Sequence, residues 1–320
     1  VRHLAERHQI WVYLSATGAG LVLGLALPAV GRVLEPAVWP TLGLLLYVTF
    51  TQIPIAHVPS VARDVRFVVA VLLTDFVLLP LVVWALLPLA PDDRAVRLGV
   101  VLVLVVPCTD WFLTFTHLGR GDTRRALVVT PVLLGVQLAL LPVYVRLLVG
   151  ESFAELTGLR TAATVFVTLI VVPLVAAWAT QRRAERDPGA RRVLERLGAL
   201  PVPLVGLVVF LIAGSQVSTV TGSSHVLGRL AVVFVAFLAA ALVVGRAVSA
   251  LAGLDAGGAR ALIFSAGTRN SFVVLPLALA LPGDWSAAAV VVVFQSLVEL
   301  FGMAVYVRVV PALTGDRAPR

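Results

Sequence analysis

Four ionisable side chains and one thiol fall inside otherwise apolar stretches, where each is costly enough to need a reason. The thiol is Cys108, in the run Pro107-Cys108-Thr109-Asp110. A thiol is a soft ligand and prefers soft centres; otherwise a lone buried cysteine is a small hydrophobe. Asp75, Asp110 and Glu299 are candidate proton carriers, because a carboxyl in low-dielectric surroundings can take up and release a proton as its access to water changes. The competing role is a structural carboxyl bonded to a neighbouring helix. Arg269, in Gly267-Thr268-Arg269-Asn270-Ser271, could hold an anion, but permanent pairing with a carboxylate is the favoured reading. Thr109, Asn270, Ser271 and Gln137 offer oxygens for a cation or for hydroxyl groups, or else for bonds between helices.

Other chemistry is excluded or unsupported. A single cysteine among 320 residues rules out an internal disulfide and a thiolate metal cluster. No nucleotide motif, metal cluster or catalytic triad is visible, so neither an enzyme nor a cofactor is expected. The elements that must position these residues are set by composition. Hydrophobic residues make up 60% of the chain and charged residues 13%, too apolar for a water-soluble monomer to cover its surface. Apolar stretches near the ~20 residues needed to cross a bilayer fall at 10–28, 38–55, 66–89, 96–117, 124–149, 160–180, 199–219, 227–250, 259–281 and 286–310. The first run leads into further spans, which predicts no cleaved leader. The partner is therefore a lipid bilayer.

All 25 basic residues are arginine, and the net charge of +8 needs no nucleic-acid partner, because arginines in loops set membrane orientation. With the N-terminus inside, eighteen arginines fall in inside segments, six of them between Gln181 and Gly198; six fall outside and Arg269 lies within a span. That asymmetry predicts both termini on the cytoplasmic side of a bacterial inner membrane. The Gln181–Gly198 segment reads as a hydrophilic connector holding one short amphipathic helix.

The chain also resembles itself. Val143-Tyr144-Val145-Arg146 returns as Val305-Tyr306-Val307-Arg308, 162 positions later. At the same offset Gln137 meets Glu299 and Asp122 meets Asp284; at an offset of 159, Cys108-Thr109-Asp110 meets Gly267-Thr268-Arg269. Two units follow, 1–155 and 156–320, each of five spans. An odd number of spans inverts the second copy, the usual build of secondary transporters. The repeat-equivalent spans four and nine each carry a mid-span break. Pro107 removes a backbone donor, and Gly267 makes unwinding cheap. Non-helical backbone at membrane depth is tolerated only around a cavity or inside protein. The expected fold is an all-α polytopic membrane protein of ten transmembrane helices in two inverted five-helix repeats, with helices four and nine discontinuous and crossing. Asp110 and Arg269, at matching places in the two breaks, are expected to pair across the crossing.

Ten spans with interrupted fourth and ninth helices resemble the bile acid:sodium symporter superfamily. Within it, Val106-Pro107-Cys108-Thr109 resembles the Pro-Cys-Thr signature of the arsenite efflux permeases, and Leu297-Val298-Glu299 resembles the Val-Glu of their tenth span. Gly267-Thr268-Arg269-Asn270 resembles the Gly-x-x-Asn of span nine across the superfamily. The chain departs from the permeases at Asp110, where they carry small or apolar residues. It departs again at Phe272, Val273 and Val274, where a glutamate is usual, and at Asp75, where relatives often have Asn. The resemblance implies a core of spans three to five and eight to ten beside a panel of spans one, two, six and seven. It implies a secondary transporter that exports arsenite against an inward flow of protons. Substrate-binding residues would be Cys108, Thr109, Asp110, Arg269 and Asn270; coupling-ion residues would be Glu299, Asp75, Asp110, Gln137 and Ser271. Arsenite near neutral pH is an uncharged trihydroxide, so one thiol can exchange for one hydroxyl without burying a net charge. The alternative is sodium-coupled uptake of a small organic anion. An external ATPase partner or a homo-oligomer stays open.

Overall fold

The computed structural model describes residues 2–53, 64–109, 111–150, 155, 159–215 and 224–315, and among them the chain is all helix and connecting turn. Thirteen helices are traced here: α1 (Arg2–Ala26), α2 (Pro28–Gln52), α3 (Val65–Leu89), α4 (Arg94–Leu104), α5 (Trp111–Leu118), α6 (Thr123–Val149), α7 (Leu159–Phe166 continued through Val172–Ala184), α8 (Pro188–Leu197), α9 (Pro201–Ser215), α10 (Ser224–Leu251), α11 (Ala256–Gly267), α12 (Ser271–Leu279) and α13 (Ala287–Thr314).

Six helices among the described residues are long and apolar enough to cross a membrane: Ala29–Gln52, Val65–Leu89, Thr123–Val149, Ala163–Ala184, Val226–Leu251 and Gly283–Thr314. Two of the other expected spans are shorter helices: Trp11–Ala26 is the apolar part of α1, and α9 meets α8 at a bend of 46°. The remaining two are the pairs α4/α5 and α11/α12, each split at its middle. The hydrophilic stretch expected from Gln181 starts later. Helix α7 runs on to Ala184, and Gln181 Nε2 donates to Thr51 O at 3.0 Å and Ile53 O at 2.6 Å, closing the C-terminal end of α2.

Acidic N-caps start most of the helices that bear on the site. Asp64 accepts from the Phe67 amide, Asp93 from Val96, Asp122 from Arg124 and Arg125, and Asp255 from Gly258. Each satisfies donors that a helix start leaves orphaned. The matched pair Asp122 and Asp284 do different jobs: Asp122 caps α6, whereas Asp284 sits in a 3₁₀ turn, Gly283–Trp285. Two helices widen into a π turn just before a proline. Thr74–Leu78 precedes Pro80 in α3, and Val167–Val171 precedes Pro173 in α7. A helical proline clashes with the carbonyl four residues back, and a π turn relieves that crowding.

Helices α1, α2, α7 and α9 pack on one another, and α3 to α6 pack with α10 to α13. Between α1 and α9 the approach is close: a Cβ on Gly20 would stand 2.4 Å from Phe210 O. Apolar side chains face outward, Leu251 being 88% exposed and Val33 74%. Asp75, Gln137, Arg269, Gln295 and Glu299 are buried. Apolar outside and polar inside is the arrangement a bilayer selects. The protein is a multi-pass membrane protein.

Candidate functional site

The two interruptions meet. Where α4 gives way to α5 and α11 to α12, Pro107 lies in an isolated antiparallel bridge with Arg269. The Asn270 amide donates to Val106 O at 2.8 Å, and the Cys108 amide to Thr268 O at 3.1 Å. Each broken span thus satisfies backbone groups that the other exposes. A Cβ on Gly267 would stand 2.5 Å from the Tyr306 ring, so α13 closes on the end of α11. Side chains extend the bridge: Asn270 Oδ1 caps α12 at the Val273 amide, and its Nδ2 donates to Thr109 Oγ1 at 3.3 Å.

Arg269 reaches in two directions. Its amide donates to Glu299 Oε2 at 2.9 Å. Its guanidinium, with no solvent exposure, pairs with Asp75 at 3.0 Å. The same Nη2 donates to Ser265 O and Ala266 O, both at 2.8 Å, and Nη1 to Leu104 O at 3.3 Å. The guanidinium carbon stands 5.4 Å from the centre of the Phe237 ring. Ser265 Oγ donates to the second Asp75 oxygen at 2.5 Å. On the other side, Gln295 Nε2 donates to Glu299 Oε2 at 2.7 Å, and Ser271 Oγ to Gln295 Oε1 at 2.8 Å. A continuous polar seam therefore runs from Asp75 through Arg269 to Glu299 and Ser271, with Cys108, Thr109 and Asn270 in the bridge.

Asp110 lies outside the described residues, and with it the expected contact to Arg269. The carboxylate that the Arg269 guanidinium meets among the described residues is Asp75, 194 positions away. Gln137 is buried on α6, and neither amide atom bonds to a described residue. The sequence reading left Ser265, Gln295 and Phe237 out of the site. Gln295 carried a signal, sitting four residues before Glu299 on one helix face; Phe237 carried none. Two tyrosines also emerge. Tyr144 donates to Phe76 O and Tyr306 to Leu238 O, each across 68 residues. Tyr144 and Tyr306 are 162 positions apart, as are Phe76 and Leu238 and as are Asp75 and Phe237.

An aromatic group lies beside the bridge, where α1 meets the interrupted spans. Trp111, the first residue of α5, stacks on Tyr13 at 5.8 Å and meets Phe272 edge-on at 5.8 Å.

No curated protein matches the chain. Residues 39–223 match the family model described as the Sodium Bile acid symporter family. That stretch holds Asp75, the α4/α5 interruption and Gln137, and more than half of the sequence. By this match, the chain belongs to the sodium bile acid symporter family.

Proposed function

We propose that the protein is a secondary transporter in a bacterial cytoplasmic membrane, built of ten spans in two inverted repeats, that exports arsenite in exchange for protons. The observation that carries this reading is the position of Cys108. Its amide forms part of the bridge between two interrupted helices, and its thiol is buried there. Paired broken spans mark the transport site in inverted-repeat carriers, and a lone thiol suits a soft, uncharged cargo that must also leave. Thr109 and Asn270, bonded to each other in the bridge, carry groups able to bond arsenite hydroxyls. Glu299, held by two neutral donors at the far end of the bridge, can carry the proton.

The test is arsenite uptake into everted vesicles with and without a pH gradient. Uptake should follow the gradient, and Cys108→Ser should abolish it while the protein still inserts, since serine offers a hard oxygen in place of sulfur. Undiminished transport by that variant would remove the thiol from the mechanism.

The family match supports a second reading, sodium-coupled uptake of a small organic anion. Sodium-dependent flux with no response to a pH gradient would select it. The burial of the Arg269 guanidinium against Asp75 counts against that reading, because the cation best placed to bind an anion already holds a carboxylate.

A further inference from the structure

The groups around the Arg269 guanidinium are acceptors. Ser265 O and Ala266 O belong to the last turn of α11, and Leu104 O ends α4. Two half-helix C-termini, each with partial negative charge, thus point at one place. The Asp75 carboxylate adds a full charge from α3, and the Phe237 ring turns its electron-rich face inward from α10. The Ser265 hydroxyl is spent on the second Asp75 oxygen. Such a set of oxygens, at buried depth, requires a positive charge. Carbonyls at unwound helix ends together with a carboxylate are the ligands that hold an alkali-metal ion in carriers with broken spans. Here the charge is covalently part of the interruption, one residue before the cap of α12.

We propose that Arg269 is a tethered cation standing where an exchangeable alkali-metal ion would otherwise bind, so that the protein holds its crossing together and works without sodium. The acceptor set does not fit sodium while the guanidinium occupies it. Asp75 is then the fixed counter-charge of Arg269, and of the two carboxyls in the described seam Glu299 is the one left for coupling. This deepens the proton-exchange reading above. It is tested without reference to the cargo, so its failure and the failure of the arsenite reading are separate results.

The experiment is thermal melting of the purified protein in detergent, in sodium chloride and in choline chloride at equal ionic strength. The wild-type Tm should be the same in both. Arg269→Ala removes the tethered charge and leaves the oxygens, so it should melt lower in choline chloride. Sodium should then stabilise it saturably, by roughly 3 °C at about ten times the half-saturating concentration. Adding Asp75→Asn to that variant should remove the response. If Arg269→Ala aggregates in choline chloride, monodispersity in the two salts becomes the reading, and recovery in sodium chloride is expected. Saturable stabilisation of the wild type by sodium overturns the proposal. So does a variant that behaves alike in both salts, whether folded or aggregated.

Discussion

The amide and the guanidinium of Arg269 leave the chain on opposite sides, and each finds a different acidic residue. Asp75 faces a full positive charge: one of its oxygens accepts from the guanidinium and the other from Ser265 Oγ. Among the described residues, the donors to Glu299 Oε2 are the Arg269 amide and Gln295 Nε2, both neutral. Glu299→Gln should therefore keep the bridge, since its amide oxygen can still accept from Arg269, while removing the titratable group. Arsenite binding should persist in the variant and gradient-driven flux should be lost; flux at the wild-type rate would exclude Glu299 as the carrier. The members of this seam were legible as polar residues in apolar runs: Asp75, Arg269, Asn270, Ser271 and Glu299 were all named from sequence. Their partners were not. Offset arithmetic relates equivalent positions across an axis, but it does not say which third helix lies between them. Arg269 was matched in sequence with Asp110, which lies outside the described residues; the contribution of α3, Asp75 beside the guanidinium, had no signal in that arithmetic.

At the level of elements, the π turn that places Asp75 just before Pro80 has no signal in the apolar pattern. The turn arises because Phe76 O lies four residues before Pro80, which has no amide to give it. Tyr144 supplies the missing donor. Tyr306 bonds Leu238 O in the same way, but Leu238 lies in the unbroken α10. Tyr144→Phe should thus cost about 2 kcal/mol, the penalty of an orphaned buried carbonyl, and Tyr306→Phe about 1 kcal/mol. Paired denaturation of the two variants checks the order.

A second element-level device lies at the starts of α3, α6 and α11. The Asp64, Asp122 and Asp255 caps converge on Arg125, at 2.8 Å and 3.6 Å for the first two and in direct contact for the third. Burial pushes the Asp255 carboxyl up, but the Gly258 amide and Arg125 outweigh it, leaving Asp255 below its ordinary value. A carboxyl with a lowered folded value contributes stability above its unfolded value, lost as pH falls through the folded one. Both side chains are partly exposed, so solvent screens the pair. Arg125→Gln should lower Tm near neutral pH by roughly 2 °C, and the gap from wild type should close in acid.

Over the whole molecule, the six helices long and apolar enough to cross a membrane were readable because length and apolarity alone decide them. The bend between α8 and α9 and the extension of α7 to Ala184 were not, since they follow from packing against α2. The two tyrosine bonds join residues within 1–155 and within 156–320, whereas the bridge and the Asp75–Arg269 pair join one stretch to the other. A chain cut between α7 and α8 leaves Asp75 and Arg269 on different pieces, which should reassemble when both are co-expressed, as co-purification would show. Either piece made alone should be degraded, because it carries Asp75 or Arg269 without its counter-charge. The same pair is unmatched in sequence: the offset of 162 carries Asp75 onto Phe237, and the offset of 159 carries Arg269 back onto Asp110. The ion pair therefore has no second copy of its own type, and a single Asp75→Asn exchange takes away the carboxylate that the buried guanidinium meets at 3.0 Å.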